Sequence, residues 1–186
     1  ELSRGKSFSD CAIPFFCNAL DLCSGKEVIL DSGLLADAMR ASSSYPGLFT
    51  PVHIHDQMLI DACVMDNTPV WVAREKGYKN ILALTFGALE PMTGAEMDSS
   101  LTVLMRTLAC TTAYISLQKN EYPTAFINMT SSRASHDFSD PKKQIQFGYQ
   151  KTMENKTLLQ AFCTDGISGA LQRMYLTRKT RKEYRI

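Results

Sequence analysis

No apolar run in this sequence reaches the ~18 residues a membrane-crossing helix needs, so none is expected to span a bilayer. The opening Glu1-Leu2-Ser3-Arg4-Gly5 is polar and carries no signal-peptide pattern. It also lacks an initiator methionine, which leaves an upstream segment open. Charge of one sign is missing too: 20 basic side chains face 19 acidic ones, for a net charge of +1. Neither a nucleic acid nor a strongly acidic partner is demanded by that balance. None of the six cysteines (11, 17, 23, 63, 110 and 163) stands in a C-x-x-C pair, and their spacing fits no metal-site pattern. Several sit in apolar runs such as Pro14-Phe15-Phe16-Cys17, so buried free thiols in a reducing compartment such as the cytoplasm are expected over a disulfide framework. Nor is there an internal repeat, a low-complexity linker or a cofactor motif. One domain over residues 1–186 is the resulting expectation, ending in a basic helical tail over residues 165–186, with no cofactor and no metal.

What is present is an ordinary globular balance, with 45% hydrophobic and 21% charged residues over 186 positions, enough for a sizeable core. Strand-like and helix-like segments alternate. Ile13–Leu20 is an apolar run closed by the turn Asp21-Leu22-Cys23-Ser24-Gly25, and Glu27–Leu30 reads as the next strand. Leu34–Ser42 has helical spacing at Leu35, Ala38, Met39 and Ser42 and stops at Tyr45-Pro46-Gly47. Met58–Cys63 is apolar again. Pro69 suits the first turn of a helix that Gly77 closes. Ile81–Thr85 and Thr124–Met129 read as strands. Ser99–Leu117 is the longest helix, with Leu101, Leu104, Met105, Leu108, Thr112 and Ile115 on one stripe. Phe147–Phe162 and Leu171–Lys182 read as two further helices. Alternation of this kind predicts an α/β fold with three α/β/α layers and a mostly parallel sheet.

Three blocks stand in order: Ala19-Leu20-Asp21-Leu22-Cys23-Ser24-Gly25-Lys26-Glu27-Val28, the run from Ala38 to Val52 (AMRASSSYPGLFTPV), and Leu59-Ile60-Asp61-Ala62-Cys63-Val64-Met65-Asp66-Asn67-Thr68-Pro69-Val70. Together they resemble the patatin-like phospholipase family. Phe138-Ser139-Asp140-Pro141 and the pair Gly148-Tyr149 are similar to the family's closing helix, so the resemblance runs from about Phe8 to about Leu159. It implies a patatin-like fold, here incomplete, and a lipid acyl hydrolase of the phospholipase A or esterase type, working by a Ser-Asp dyad in the intact protein. Asp61 matches the family's catalytic aspartate. Such a dyad needs a serine nucleophile, a base that takes its proton and donors for the oxyanion. A carboxylate closing an apolar strand, between Ile60 and Ala62, is partly withdrawn from water and suits a base; a solvated turn aspartate is the plain alternative. Ser42 and Pro46 would shape the wall beside it, and Asn67 and Pro69 would hold the loop that follows.

Two departures from the family stand out. Ala62 replaces the glycine that normally follows the aspartate; if that position needs a left-handed backbone, alanine resists it and the carboxylate is mis-aimed, unless a slight shift of the loop accommodates it. The Gly-rich oxyanion loop and the G-x-S-x-G nucleophile elbow are not in these 186 residues. Gly166-Ile167-Ser168-Gly169-Ala170 imitates an elbow, but it follows the aspartate and more simply turns the chain into the last helix. A catalytically inactive lipid-binding or interaction module is therefore the alternative reading. His53 and His55 share a face if the chain there is extended, and an ordinary exposed pair is expected over a metal site. His136 carries no signal. Arg173, Arg178, Lys179, Arg181, Lys182 and Arg185 face only Glu183, a cluster that fits either a solvated helix end or a membrane surface. The implied partners are a phospholipid or another acyl-ester lipid, and the missing N-terminal half or a second copy covering exposed apolar faces.

Overall fold

A computed structural model describes residues 3, 5–86, 91–118, 122–130 and 139–183, the side chains of 116–118 excepted. His136, Phe138 and Arg185 lie outside the described residues. The chain divides into two compact units, Glu1–Pro69 with Met92–Ser116, and Val70–Pro91 with Leu117–Ile186.

In the first unit, β1 (Cys17–Asp21), β2 (Lys26–Leu30), β3 (Val52–Ile54) and β4 (Gln57–Asp61) form one sheet in the order β2-β1-β4-β3, and every pairing in it is antiparallel. The expected mostly parallel sheet is thus corrected. The reason lies in the connections. Only Leu22–Gly25 separate β1 from β2, and only His55 and Asp56 separate β3 from β4, lengths that close hairpins but cannot carry a crossover. His55 takes the positive φ of 52° that so short a loop requires. Both His53 and His55 are exposed, and no metal-binding cluster occurs among the described residues.

The β1–β2 turn is built by Asp21. Buried at the end of β1, its carboxylate accepts hydrogen bonds from Cys23 N (3.1 Å), Ser24 N (3.3 Å), Ser24 Oγ (2.6 Å) and, across the sheet, Met58 N (3.2 Å). The Ser24 hydroxyl, ahead of the backbone donors, holds this carboxyl below its usual range against the opposing effect of burial. Being depressed, it stabilises the fold above the ordinary carboxylate range, and that contribution is lost as pH falls through the folded value.

Ala19, Ala41, Val52 and Leu59 form the core, with Val28, Leu30 and Ile54 packed on it. Helix α1 (Leu35–Ser42) lies on β1 and β4 through the small side chains Ala38 and Ala41, which let its backbone come close. Helix α3 (Ser100–Gln118) matches its expected span, but Leu101 and Leu104 of its apolar stripe are exposed instead of buried.

The second unit contains α2 (Val70–Glu75), β5 (Leu82–Thr85), β6 (Ala125–Asn128), α4 (Pro141–Glu154), α5 (Lys156–Cys163) and α6 (Gly166–Glu183). Strands β5 and β6 make the one parallel pairing among the described residues. Gly77, at φ 88°, closes α2 by donating to Arg74 O (2.9 Å), as its sequence position predicts. The expected helix 147–162 is two helices. Asp140 caps α4 six residues earlier than the apolar spacing suggested, accepting from Lys143 N (3.2 Å), with Pro141 in the first turn. Asn155 breaks the run, its Nδ2 donating to Lys151 O (2.8 Å). The last helix likewise begins five residues before Leu171. It packs on α5 and β6, with the buried Thr180 hydroxyl donating to Thr124 O (3.2 Å).

All six cysteines are free, but none is buried: Cys23, Cys110 and Cys163 are exposed and the others half-buried. The expectation of buried thiols is corrected, since an apolar run does not say which of its faces the core takes. No described helix is long and apolar enough to cross a membrane.

Candidate functional site

Asp61 is the last residue of β4, opposite Ala19 of the central strand β1. The strand leads straight into a 3₁₀ turn, Ala62–Val64, of which Asp61 is the N-cap. Three contacts position it. Its backbone N–H donates to Ser44 O (3.0 Å), tying the strand end to the loop after α1. Its Oδ1 accepts from Cys63 N (2.8 Å). The Cys63 thiol also lies against the carboxylate, which with burial as the larger cause pushes that thiol up to about 12. The Asp61 side chain is half-buried. Among the described residues no serine or threonine hydroxyl donates to it.

Ala62 occupies this turn without strain. His55 is the one non-glycine residue at positive φ among those described, so the alanine sits in right-handed geometry. The backbone conformation that would have excluded a β-carbon is not used here. Ala62 is buried, and its carbonyl accepts from both Met65 N (2.8 Å) and Asp66 N (2.8 Å), which closes the turn.

Ser42 ends α1; the Cys17 thiol on β1 donates to Ala38 O (3.7 Å), and burial pushes that thiol up while the Ser42 hydroxyl opposes the rise. Pro46 lies in a tight turn in which Leu48 N and Phe49 N both donate to Tyr45 O (3.1 Å each). Gly47 in that turn has φ 81°, and a β-carbon there would meet Met105 Cε at 3.3 Å, so the turn rests on α3. Asn67 is exposed, and Pro69 is half-buried immediately before α2.

Several residues that hold the site escaped the sequence reading. Ser44 is buried, its hydroxyl donating to Arg40 O (2.7 Å) while its carbonyl takes the Asp61 N–H. Tyr45 is near enough to Cys63 and Asp61 that both push its phenol up, after burial as the first cause. Asp66 is buried and shapes the loop after the turn: its Oδ1 accepts from Thr68 N (3.0 Å), and its carbonyl accepts from Asn18 Nδ2 (2.9 Å), which also donates to Glu27 Oε1 (2.7 Å). The spacing Asp66-x-Thr68 is the pattern of an Asx turn and was the available signal.

The thiol offers a direct check of this geometry. Iodoacetamide mapping at pH values below about 12 should leave Cys63 slow while the exposed Cys23, Cys110 and Cys163 are modified. In Asp61→Asn the neighbouring negative charge is gone, and Cys63 alkylation should accelerate. An unaltered rate would separate the thiol from the carboxylate.

A model of the family described as patatin-like phospholipase matches residues 7–74, a span that includes Ser42, Pro46, Asp61, Ala62, Asn67 and Pro69. The closing blocks beyond residue 138 lie outside that match. Similar curated proteins are lysophospholipase NTE1 of Debaryomyces hansenii, 34% identical over 84 residues (45% of this chain, 5% of that protein), and of Candida glabrata, 32% identical over 108 residues (54% and 6%). That of Saccharomyces cerevisiae is also 32% identical over 108 residues (54% and 6%). The matches thus span less than a tenth of each of these relatives.

Proposed function

We propose that this chain, patatin-like over residues 7–74, supplies the general base of a lipid acyl hydrolase whose serine nucleophile comes from a segment outside these 186 residues. In the attack step Asp61 takes the serine proton as the hydroxyl oxygen bonds to the acyl carbon. The protonated carboxyl then returns that proton to the leaving alcohol, and water repeats the cycle on the acyl-enzyme. A base in this role must be fixed before substrate arrives, because a carboxylate free to rotate spends part of its time pointing away. The observation that carries the reading is the cap: Cys63 N holds Asp61 Oδ1 at 2.8 Å at the end of a strand whose Leu59 and Ile60 are buried. The right-handed turn at Ala62 supports catalysis over the inactive-module alternative, since the Gly-to-Ala departure costs no backbone strain.

The missing nucleophile segment also needs a place to dock. Leu48, Phe49, Leu101 and Leu104 are exposed where the Gly47 turn meets the start of α3, an apolar surface that supports a covering partner beside the site. A fluorophosphonate probe tests the proposal on the intact protein. Labelling of one serine, suppressed by a competing acyl ester, is expected. No labelling of the folded intact protein would favour the non-catalytic module.

A further inference from the structure

Helix α6 divides cleanly around its circumference. Gly169 and Thr180 are buried and Arg173, Leu176 and Thr177 half-buried; at about 100° per residue these fall on one side of the helix, toward α5 and β6. The opposite side is an arc of about 120° holding Ile167, Leu171, Met174 and Tyr175, then Arg178, Arg181 and Lys182. All seven are exposed, Ile167 at 81%, Leu171 at 55% and Tyr175 at 68%. That arc contains no acidic residue. Glu183 lies off it and reaches Lys179 at 3.8 Å. The outward face is thus apolar over its first half and cationic over its second.

We propose that this face of α6 docks on an anionic membrane surface. Ile167, Leu171, Met174 and Tyr175 would settle at the boundary between headgroups and acyl chains, while Arg178, Arg181 and Lys182 meet lipid phosphates. The long basic side chains suit this role, because their stems lie along apolar surface while their charges stay in water. Charge complementarity selects this occupant. A second copy laid parallel on the same face would set cation against cation. Laid antiparallel, it would cover the cations with apolar side chains and leave them unneutralised. A bilayer interface satisfies both halves at once. In naming a lipid surface the inference rests on the lipid-hydrolase reading, but it is tested by adsorption and needs no turnover. Failure of the one is therefore distinguishable from failure of the other.

Co-sedimentation of the 186-residue chain with vesicles is the test, using phosphatidylcholine alone and phosphatidylcholine mixed with phosphatidylserine. Adsorption to the mixed vesicles, released as added salt shortens electrostatic reach, is the expected result. Arg178→Gln with Lys182→Gln should weaken it about 25-fold, at about fivefold per cation. Ile167→Ser with Leu171→Ser should weaken it by about tenfold or more. All four positions are exposed, so these changes leave the fold in place. Equal adsorption to both vesicle types, indifference to both double variants, or no adsorption at all would overturn the proposal. So would a dimer in vesicle-free solution that Ile167→Ser with Leu171→Ser converts to monomer.

Discussion

Asp61→Asn in the intact protein should reduce kcat/KM for a short-chain p-nitrophenyl ester by about a hundred- to ten-thousand-fold, the range a positioned base contributes. The substitution is close to isosteric. Its Oδ1 can still accept from Cys63 N, and its backbone N–H still donates to Ser44 O, so the strand end and the 3₁₀ turn are retained. The melting temperature should therefore barely move. What is lost is the ability to accept a proton, because an amide oxygen is a far weaker base than a carboxylate. The loss should appear in kcat with KM little changed, since the carboxylate acts on the nucleophile and not on the bound lipid. Unchanged turnover would remove Asp61 from the mechanism. A large fall in melting temperature would instead make it a structural cap.

Gly169→Ala is expected to produce the largest loss of stability. A β-carbon at this position would lie 1.9 Å from the Thr164 carbonyl oxygen and 2.8 Å from its carbon, and backbone cannot yield as a flexible side chain would. It would also stand 3.0 Å from Arg173 Nη1, which donates to Ala161 O (2.8 Å) and Thr164 O (2.9 Å) and so satisfies the last carbonyls of α5. Forcing the two helices apart should cost about 3 kcal/mol. For a chain of this size that is a fall of about 10 °C in melting temperature, read by calorimetry. Ser168→Ala is the companion control. Ser168 is exposed in the first turn of α6, after a helix and not after a strand, so it is not at a nucleophile elbow. Both stability and ester hydrolysis should be unaffected. The glycine that makes residues 166–170 look catalytic is there because the Thr164 carbonyl, in the connection from α5 to α6, lies against it.

The sheet shows where sequence reasoning stops. The strands ending at Leu20 and Thr85 and beginning at Glu27 and Met58 were legible to within a residue or two, because apolar runs bounded by turn residues leave a strong local imprint. Strand direction leaves none. Side-chain alternation is identical in parallel and antiparallel pairing, and only the lengths of the connections separate the two. Those around β1–β2 and β3–β4 are hairpin lengths, whereas the chain from β5 to β6 runs through α3 and permits a parallel pair. Helix ends were harder still. The Asp140-Pro141 cap and the break at Asn155 are carried by single residues that an apolar-spacing argument overlooks.

From residue order alone came the resemblance to patatin-like phospholipases over about Phe8 to about Leu159, which the family model matches over residues 7–74, the candidate carboxylate at Asp61 and the apolar strand leading to it, because short-range chemistry and motif order are written directly in the chain. The tertiary structure decided the rest: contacts between distant residues tie Asp61 to Ser44 and join Asn18 to Asp66 in the loop beyond it, and the local turn shows that Cys63 N caps Asp61 and that Ala62 needs no left-handed backbone. Hydrogen bonds of this sort join residues up to 48 positions apart. Their existence depends on how the sheet closes, and no local pattern specifies that.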